Sequence, residues 1–259
     1  RIAIFYNSKT NPRNIGYVKQ VASVLDKSGI PYLINPARTE WHKTDIALAV
    51  GGDGTVLYTA NLLSRTELPI LGINFGHRGF LCGLDKDNFS RYLPLLWENE
   101  FKVAPKTRIE ARIRKPDGRI LVLEALNEIS IGGINRTVSL ETDIRTPEKD
   151  IKARISGDGL IVSTMTGSTA YNINAGGPML LTDSFAVLAN NAFFDSDSLL
   201  PITKSLVVPV ETVIRAEDLS HNPRNLPYVI ADGQEAIKTG KGDLITIKAA
   251  RNKNHFIKF

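Results

Sequence analysis

Gly51-Gly52-Asp53-Gly54-Thr55 sets a single carboxylate among glycines. Glycines let backbone N–H groups approach an anion such as phosphate at close range, and a helix start behind them adds a favourable field for negative charge. A carboxylate in that position repels phosphate unless it binds a metal or takes up a proton during reaction. Asp53 is therefore a candidate metal ligand or proton acceptor, with Gly52 and Gly54 beside it. The same letters also suit a plain turn in which Asp53 only caps the following helix. No Lys follows, so the segment is not a Walker loop, and its glycines lack the spacing of the dinucleotide fingerprint.

Three other segments carry candidate groups. Gly157-Asp158-Gly159 leads through an apolar run into Thr164-Met165-Thr166-Gly167-Ser168-Thr169-Ala170-Tyr171-Asn172. This hydroxyl-dense turn offers small donors and acceptors to a base or ribose, and Tyr171 adds a flat face. Read alone it also fits a Ser/Thr cap before a short helix. Asn127-Glu128 pairs an amide with a carboxylate, a combination that can hold two ribose hydroxyls but that also occurs at ordinary loop ends. Asn74-Phe75-Gly76-His77-Arg78-Gly79-Phe80 follows an apolar run, and there His77 and Arg78 could meet phosphate.

These segments need elements to hold them. Over the first hundred residues, short apolar runs alternate with helix-like stretches, which predicts strands joined by crossover helices into a parallel, Rossmann-like sheet. Strands are expected at residues 2–6, around 32–34, at 46–50 and at 70–74, with helices at 15–27 and 56–64. Gly51 to Thr55 then lies at a strand's carboxyl end, where open parallel sheets bind ligands. After Trp97 the texture becomes β-rich, with runs at 108–114 and 119–126 around the turn Pro116-Asp117-Gly118. Further strands are expected at 129–134, 138–144, 151–155, 160–164, 205–210 and 244–248. The fold class expected is an α/β domain over residues 1–100 and a mainly β domain over 101–259, with the last residues a candidate return to the first domain.

The 259 residues are 42% hydrophobic and 23% charged, an ordinary globular balance. The formal net charge of +5 suits a polyanionic ligand, but Lys and Arg are dispersed without a basic run or aromatic platform, so no nucleic-acid partner is expected. No apolar stretch approaches the roughly 20 residues of a membrane span, and a cytoplasmic protein without a membrane partner is expected. Cys82 is the only cysteine, which excludes an intrachain disulfide or a site built on several thiolates and leaves a small buried thiol.

Taken in order, Gly-Gly-Asp-Gly-Thr, Asn-Phe-Gly-His-Arg-Gly-Phe, Asn127-Glu128, Gly-Asp-Gly followed by Gly-Ser-Thr-Ala-Tyr-Asn, and late Asp232-Gly233-Gln234 resemble the NAD kinases. The first motif is shared with diacylglycerol-type lipid kinases and, more distantly, phosphofructokinases; the Thr-Gly-Ser-Thr-Ala-Tyr-Asn run and the Asn-Glu pair narrow it. The resemblance implies transfer of a phosphoryl group from ATP, or another nucleoside triphosphate or polyphosphate, to the 2′-hydroxyl of the adenosine ribose of NAD. It implies Asp53 as catalytic aspartate and a binding set of Gly52, Gly54, Asn74, Phe80, Asn127, Glu128, Asp158, Thr166, Thr169, Ala170, Tyr171, Asn172, Asn174 and Gln234. It further implies Mg²⁺ or another divalent cation without a dedicated protein metal site, and a homodimer or homotetramer.

Three stretches depart from the family pattern. Arg78 stands where many relatives carry Leu, and Phe194-Asp195-Ser196-Asp197-Ser198-Leu199 replaces a Pro-His-Ser/Thr-Leu stretch. Thr164-Met165-Thr166 replaces the commoner Thr-Pro-Ser or Thr-Pro-Thr. Two other functions fit the same residues: a non-catalytic dinucleotide sensor, and a lipid or sugar kinase of the same superfamily.

Overall fold

The computed structural model describes residues 1–7, 14–76, 79–133, 138–192, 204–219 and 227–259. His77, Arg78 and the 194–199 stretch lie outside the described residues. The chain forms two compact units, Arg1–Lys106 with Asn252–Phe259, and Thr107–Arg251.

Along the first unit run β1 (Ile2–Phe5), α1 (Asn14–Lys27), β2 (Tyr32–Ile34), β3 (Ile46–Gly51), α2 (Asp53–Leu62), β4 (Ile70–Asn74), β5 (Leu84–Asp85), α3 (Phe89–Trp97) and β6 (Lys102–Lys106). The second unit carries β7 (Ile109–Arg114), β8 (Ile120–Ala125), β9 (Glu128–Gly132), β10 (Val138–Arg145), β11 (Asp150–Gly157) and β12 (Gly159–Ser163). It continues with α4 (Tyr171–Asn174), β13 (Ser184–Asn190), β14 (Leu206–Pro209), β15 (Val213–Asp218), β16 (Tyr228–Ala231), β17 (Glu235–Lys238) and β18 (Leu244–Ala249). The chain then closes the first unit with β19 (Asn254–Lys258).

The first unit is built on a seven-stranded sheet in the order β2-β1-β3-β4-β19-β6, with β5 also on β4. All its pairings are parallel except β19 with β6. The sheet is thus mostly parallel, as expected, with one antiparallel pairing at β6. Every residue of β1, β3 and β4 is buried, as the continuous apolar runs of a parallel sheet require. α1 buries Val18, Val21, Ala22 and Leu25, the one-sided stripe its spacing dictates. The strand order reverses between β1 and β3, so the carboxyl end of β3 borders a switch point where such sheets take ligands.

The second unit holds two six-stranded sheets, β11-β10-β15-β18-β7-β8 and β14-β13-β12-β9-β16-β17, all antiparallel. Burial alternates along β10, as in a sheet with one face on the core. One apolar cluster, including Ile109, Ile129, Leu140, Val162, Phe185 and Ile247, draws on both sheets. The expected hairpin turn is present: Lys115 N–H donates to the Arg119 carbonyl, and Gly118 adopts φ 87°. Among the described residues no helix is long and apolar enough to cross a membrane.

Candidate functional site

Asp53 is the first residue of α2, and Gly52 before it is the N-cap. The carboxylate is not spent on capping. Its Oδ2 accepts the Phe80 N–H at 2.9 Å and its Oδ1 the Leu81 N–H at 3.1 Å. Two amide donors fix the group in one orientation, and the carboxylate keeps acceptor capacity beyond them. Gly79 makes the approach possible, because its Cα abuts the carboxylate and leaves no room for a side chain. A Cβ built on Gly52 or Gly54 would meet nothing within 4 Å, so the turn presents bare backbone beside the carboxylate.

The neighbouring strand end supports this loop. Asn74 pairs with Gly51 across β3 and β4, and its buried side chain folds back, Oδ1 accepting the Gly76 N–H at 3.1 Å. Phe75 stacks on Tyr17 with ring centroids 4.6 Å apart. Phe80 is 77% exposed, an open aromatic face one residue from Gly79. Cys82 is half-buried instead of fully buried, and its thiol is pushed up to about 12, first by burial and then by the charge of Asp53 and a hydrogen bond to it.

In the second unit, Asn127 and Glu128 occupy the junction of β8 and β9, with Glu128 opening β9 instead of trailing the preceding strand. Thr164 ties them to the hydroxyl-rich turn: its N–H donates to the Asn127 carbonyl at 2.8 Å, and its hydroxyl donates to the Leu126 carbonyl at 2.7 Å. The Thr164 hydroxyl also accepts the Gly167 N–H at 3.1 Å. Gly167 presses its Cα against the Asn127 backbone, where a Cβ would lie 2.2 Å from the carbonyl oxygen. Thr166, Thr169 and Ala170 follow as a half-buried, tight turn, a 3₁₀ turn over Gly167–Thr169 leading into α4.

Asn172 is fully buried and donates to the Ser168 and Pro178 carbonyls at 3.1 and 2.8 Å. Of the buried side-chain oxygens that have no hydrogen-bond partner among the described residues, three belong here: Asn127 Oδ1, Glu128 Oε2 and Asn172 Oδ1. A buried acceptor without a donor is costly, so such groups await donors from a ligand or solvent. Burial, and then the charge of Asp232, raises the Glu128 carboxyl to about 7.

Asp158 and Tyr171 are held by two consecutive asparagines that the sequence did not single out. Asn191 donates to Asp158 Oδ2 at 3.1 Å, and Asn190 donates to the Tyr171 hydroxyl at 3.2 Å. Asn174 is exposed at the end of α4, and Gln234 is exposed beyond β16, its N–H on the Ala231 carbonyl. The residues named from sequence thus gather at two places. Asn74 and Phe80 join Gly52 to Gly54 in the first unit, and in the second Asn127 and Glu128 join the 164–169 turn. Sequence reading passed over Gly79, the amides of Phe80 and Leu81, and the internal role of Asp232.

A family model described as the ATP-NAD kinase N-terminal domain matches residues 5–101, and one described as the ATP-NAD kinase C-terminal domain matches residues 126–259. The chain is 30% identical over 260 residues to an NAD kinase of Corynebacterium jeikeium (strain K411), covering 91% of this chain and 76% of that protein. A crystal structure of an NAD kinase from Archaeoglobus fulgidus in complex with ATP superposes with a TM-score of 0.77 at 28% identity, covering 100% of this chain and 93% of the other. Yeast NADH kinase complexed with NADH shares the fold, with a TM-score of 0.79 at 20% identity over 100% of this chain and 83% of that one. The chain belongs to the NAD kinase family.

Proposed function

We propose that this protein phosphorylates NAD on the 2′-hydroxyl of its adenosine ribose, with ATP or another nucleoside triphosphate or polyphosphate as donor, and that Asp53 is the general base. Family membership supports the reaction. The observation that carries the role of Asp53 is a carboxylate fixed by two amides beside bare glycine backbone at a strand's carboxyl end. In the reaction the 2′-oxygen bonds to the terminal phosphorus while its proton passes to a free lone pair of Asp53. The bond from that phosphorus to the bridging oxygen breaks, and ADP leaves. Phosphoryl transfer asks a protein for alignment and charge neutralisation more than for covalent help.

The N–H groups around Gly52 and Gly54 serve the phosphates, with the field of α2 behind them. Asn74 shapes the strand end, and Phe80 offers its exposed ring to a base. Asn127, Glu128 and Asn172 accept donors from the dinucleotide, while Thr166, Thr169, Ala170, Tyr171, Asp158, Asn174 and Gln234 line the rest of its site. Tyr171 and Asp158 suit that task because both are anchored at the end of β13.

One carboxylate already accepting two amides fits a Mg²⁺ that travels on the triphosphate, touched by Asp53 directly or through water, and does not fit a protein cage. Such an ion neutralises phosphate charge when bound. A cytoplasmic homo-oligomer completes the proposal, resting on the family resemblance.

The test is NADP formation from NAD, ATP and Mg²⁺ by the parent and by Asp53→Asn. The parent should produce NADP, and the variant should bind NAD yet lose about 10²- to 10⁴-fold in kcat. An Asp53→Asn protein that turns over within about threefold of the parent would remove Asp53 from the role of base. A parent that binds NAD tightly and makes no NADP would be a sensor instead.

A further inference from the structure

Asp232 follows β16 in the left-handed region, with φ 50°, and is buried. Its carboxylate accepts the N–H groups of three consecutive residues. Oδ2 takes Leu126 at 2.9 Å, and Oδ1 takes Asn127 at 2.7 Å and Glu128 at 3.3 Å. In return the Asp232 N–H donates to the Glu128 carbonyl at 3.1 Å. Successive backbone N–H groups converging on one anion form a nest, and here the anion is a side chain of the same chain.

The charge of Asp232 is compensated from within. Arg108, 1% exposed, is among the largest fully buried side chains; burial pulls its guanidinium below the ordinary range, against the charges of Glu124 and then Asp232. Arg108 Nε lies 3.7 Å from Glu124 Oε2. A turn needing only closure would be served by a neutral acceptor, without the desolvation of three charges.

We propose that Asp232 is a positioning residue of the dinucleotide site: by clamping the backbone of residues 126–128, it aims the partnerless oxygens of Asn127 and Glu128 at the ligand. The inference rests on the reading of Asn127 and Glu128 as NAD-binding groups, and it gives Asp232 no contact with NAD. Asp232→Asn tests it, because an amide puts an NH₂ where one of the three N–H donors needs an acceptor.

The experiment is calorimetric titration of NAD into the full chain and into Asp232→Asn, with KM for ATP and melting temperature measured in parallel. The expected result is a Kd for NAD raised at least roughly tenfold with KM for ATP within about twofold, a split that general destabilisation would not produce. A folded variant that binds NAD within about twofold of the parent overturns the inference while leaving the NAD reading intact. A parent that does not bind NAD overturns both.

A second measurement needs no variant. Hydrogen exchange at the amides of residues 126–128 in the free parent should already be slow, and NAD should change it little. Fast exchange that slows only when NAD is added would show that the ligand, not Asp232, organises this backbone, and would sink the proposal.

Discussion

A Cβ on Gly79 would lie 2.1 Å from Oδ1 of Asp53 and 2.5 Å from its Cγ, so the carboxylate occupies the space that any other residue's side chain would need. The obstacle is the end of a side chain with two rotatable bonds, so Gly79→Ala would turn Asp53 away and leave the fold standing. The carboxylate would lose its bonds to Phe80 and Leu81, each worth about 1.5–3 kcal/mol as a hydrogen bond to a charged group. Gly79→Ala should therefore cut kcat by about 10²-fold or more, with KM for NAD changed less. Steady-state kinetics beside a melting curve decide it, and near-parental kcat would mean that the observed orientation of Asp53 is not the working one.

Gly167 presents the opposite case, since its missing Cβ would collide with the backbone of Asn127. Rotation cannot relieve that. Gly167→Ala must push the 164–169 turn away from Asn127, and kcat/KM for NAD should fall roughly ten- to hundredfold while KM for ATP holds. Equal losses toward both substrates would argue for general damage instead.

Glu128 gives a pH signature whose sign follows from its environment. Unfolded, the carboxyl ionises near its ordinary 4.5; folded, burial and then Asp232 hold the proton on until about 7. Between those values the folded state binds more protons, so this group makes stability fall as pH rises. Glu128→Gln removes the slope: the variant's stability relative to the parent should climb from pH 4.5 to 7 and level off above. Denaturant melts at four pH values measure it, and parallel curves for the two proteins would refute the assignment.

Cys82 offers a chemical probe of Asp53. With its thiol pushed up to about 12, Cys82 should alkylate at pH 8 roughly 10²-fold more slowly than a free cysteine of pKa about 8.5, the scarcer thiolate being partly offset by its greater nucleophilicity. Asp53→Asn removes the neighbouring charge but not the burial, so iodoacetamide should react faster with the variant and still slower than with free cysteine. Unchanged rates would separate the two groups electrostatically.

Much of the scaffold was legible because local pattern and tertiary burial agree there. The run at 46–50 became β3, ending at Gly51, and the stripe at 15–27 became α1. Pro116-Asp117-Gly118 joins β7 and β8 as its letters require. The helix expected from residue 56 starts instead at Asp53, because Gly52 takes the capping place with no side chain to advertise it. β6 carries Pro105 and no buried residue, and so has no strand-like alternation to read. β16 and β17 are four residues each, too short for a period to stand out.

The candidate site divides along the same line. Side chains that could face a ligand were visible as types: Asp53, Asn127, Glu128 and the hydroxyls of the 164–169 turn. The contacts that orient them were not, because they join residues far apart in sequence. Phe80 and Leu81 donate to a carboxylate 27 and 28 positions earlier. Asp232 accepts from amides more than a hundred positions away. No local window holds both partners of such a bond.

β19 lies between β4 and β6 in the first unit's sheet, although it follows every strand of the second. During translation the first unit must therefore wait, its sheet open along β4, until all of β7 to β18 has left the ribosome. Only then can Phe256 pair with Ile70 and Phe259 meet Tyr92. A chain cut off before β19 would expose an unpaired strand edge, the kind of surface that chaperones and proteases find first.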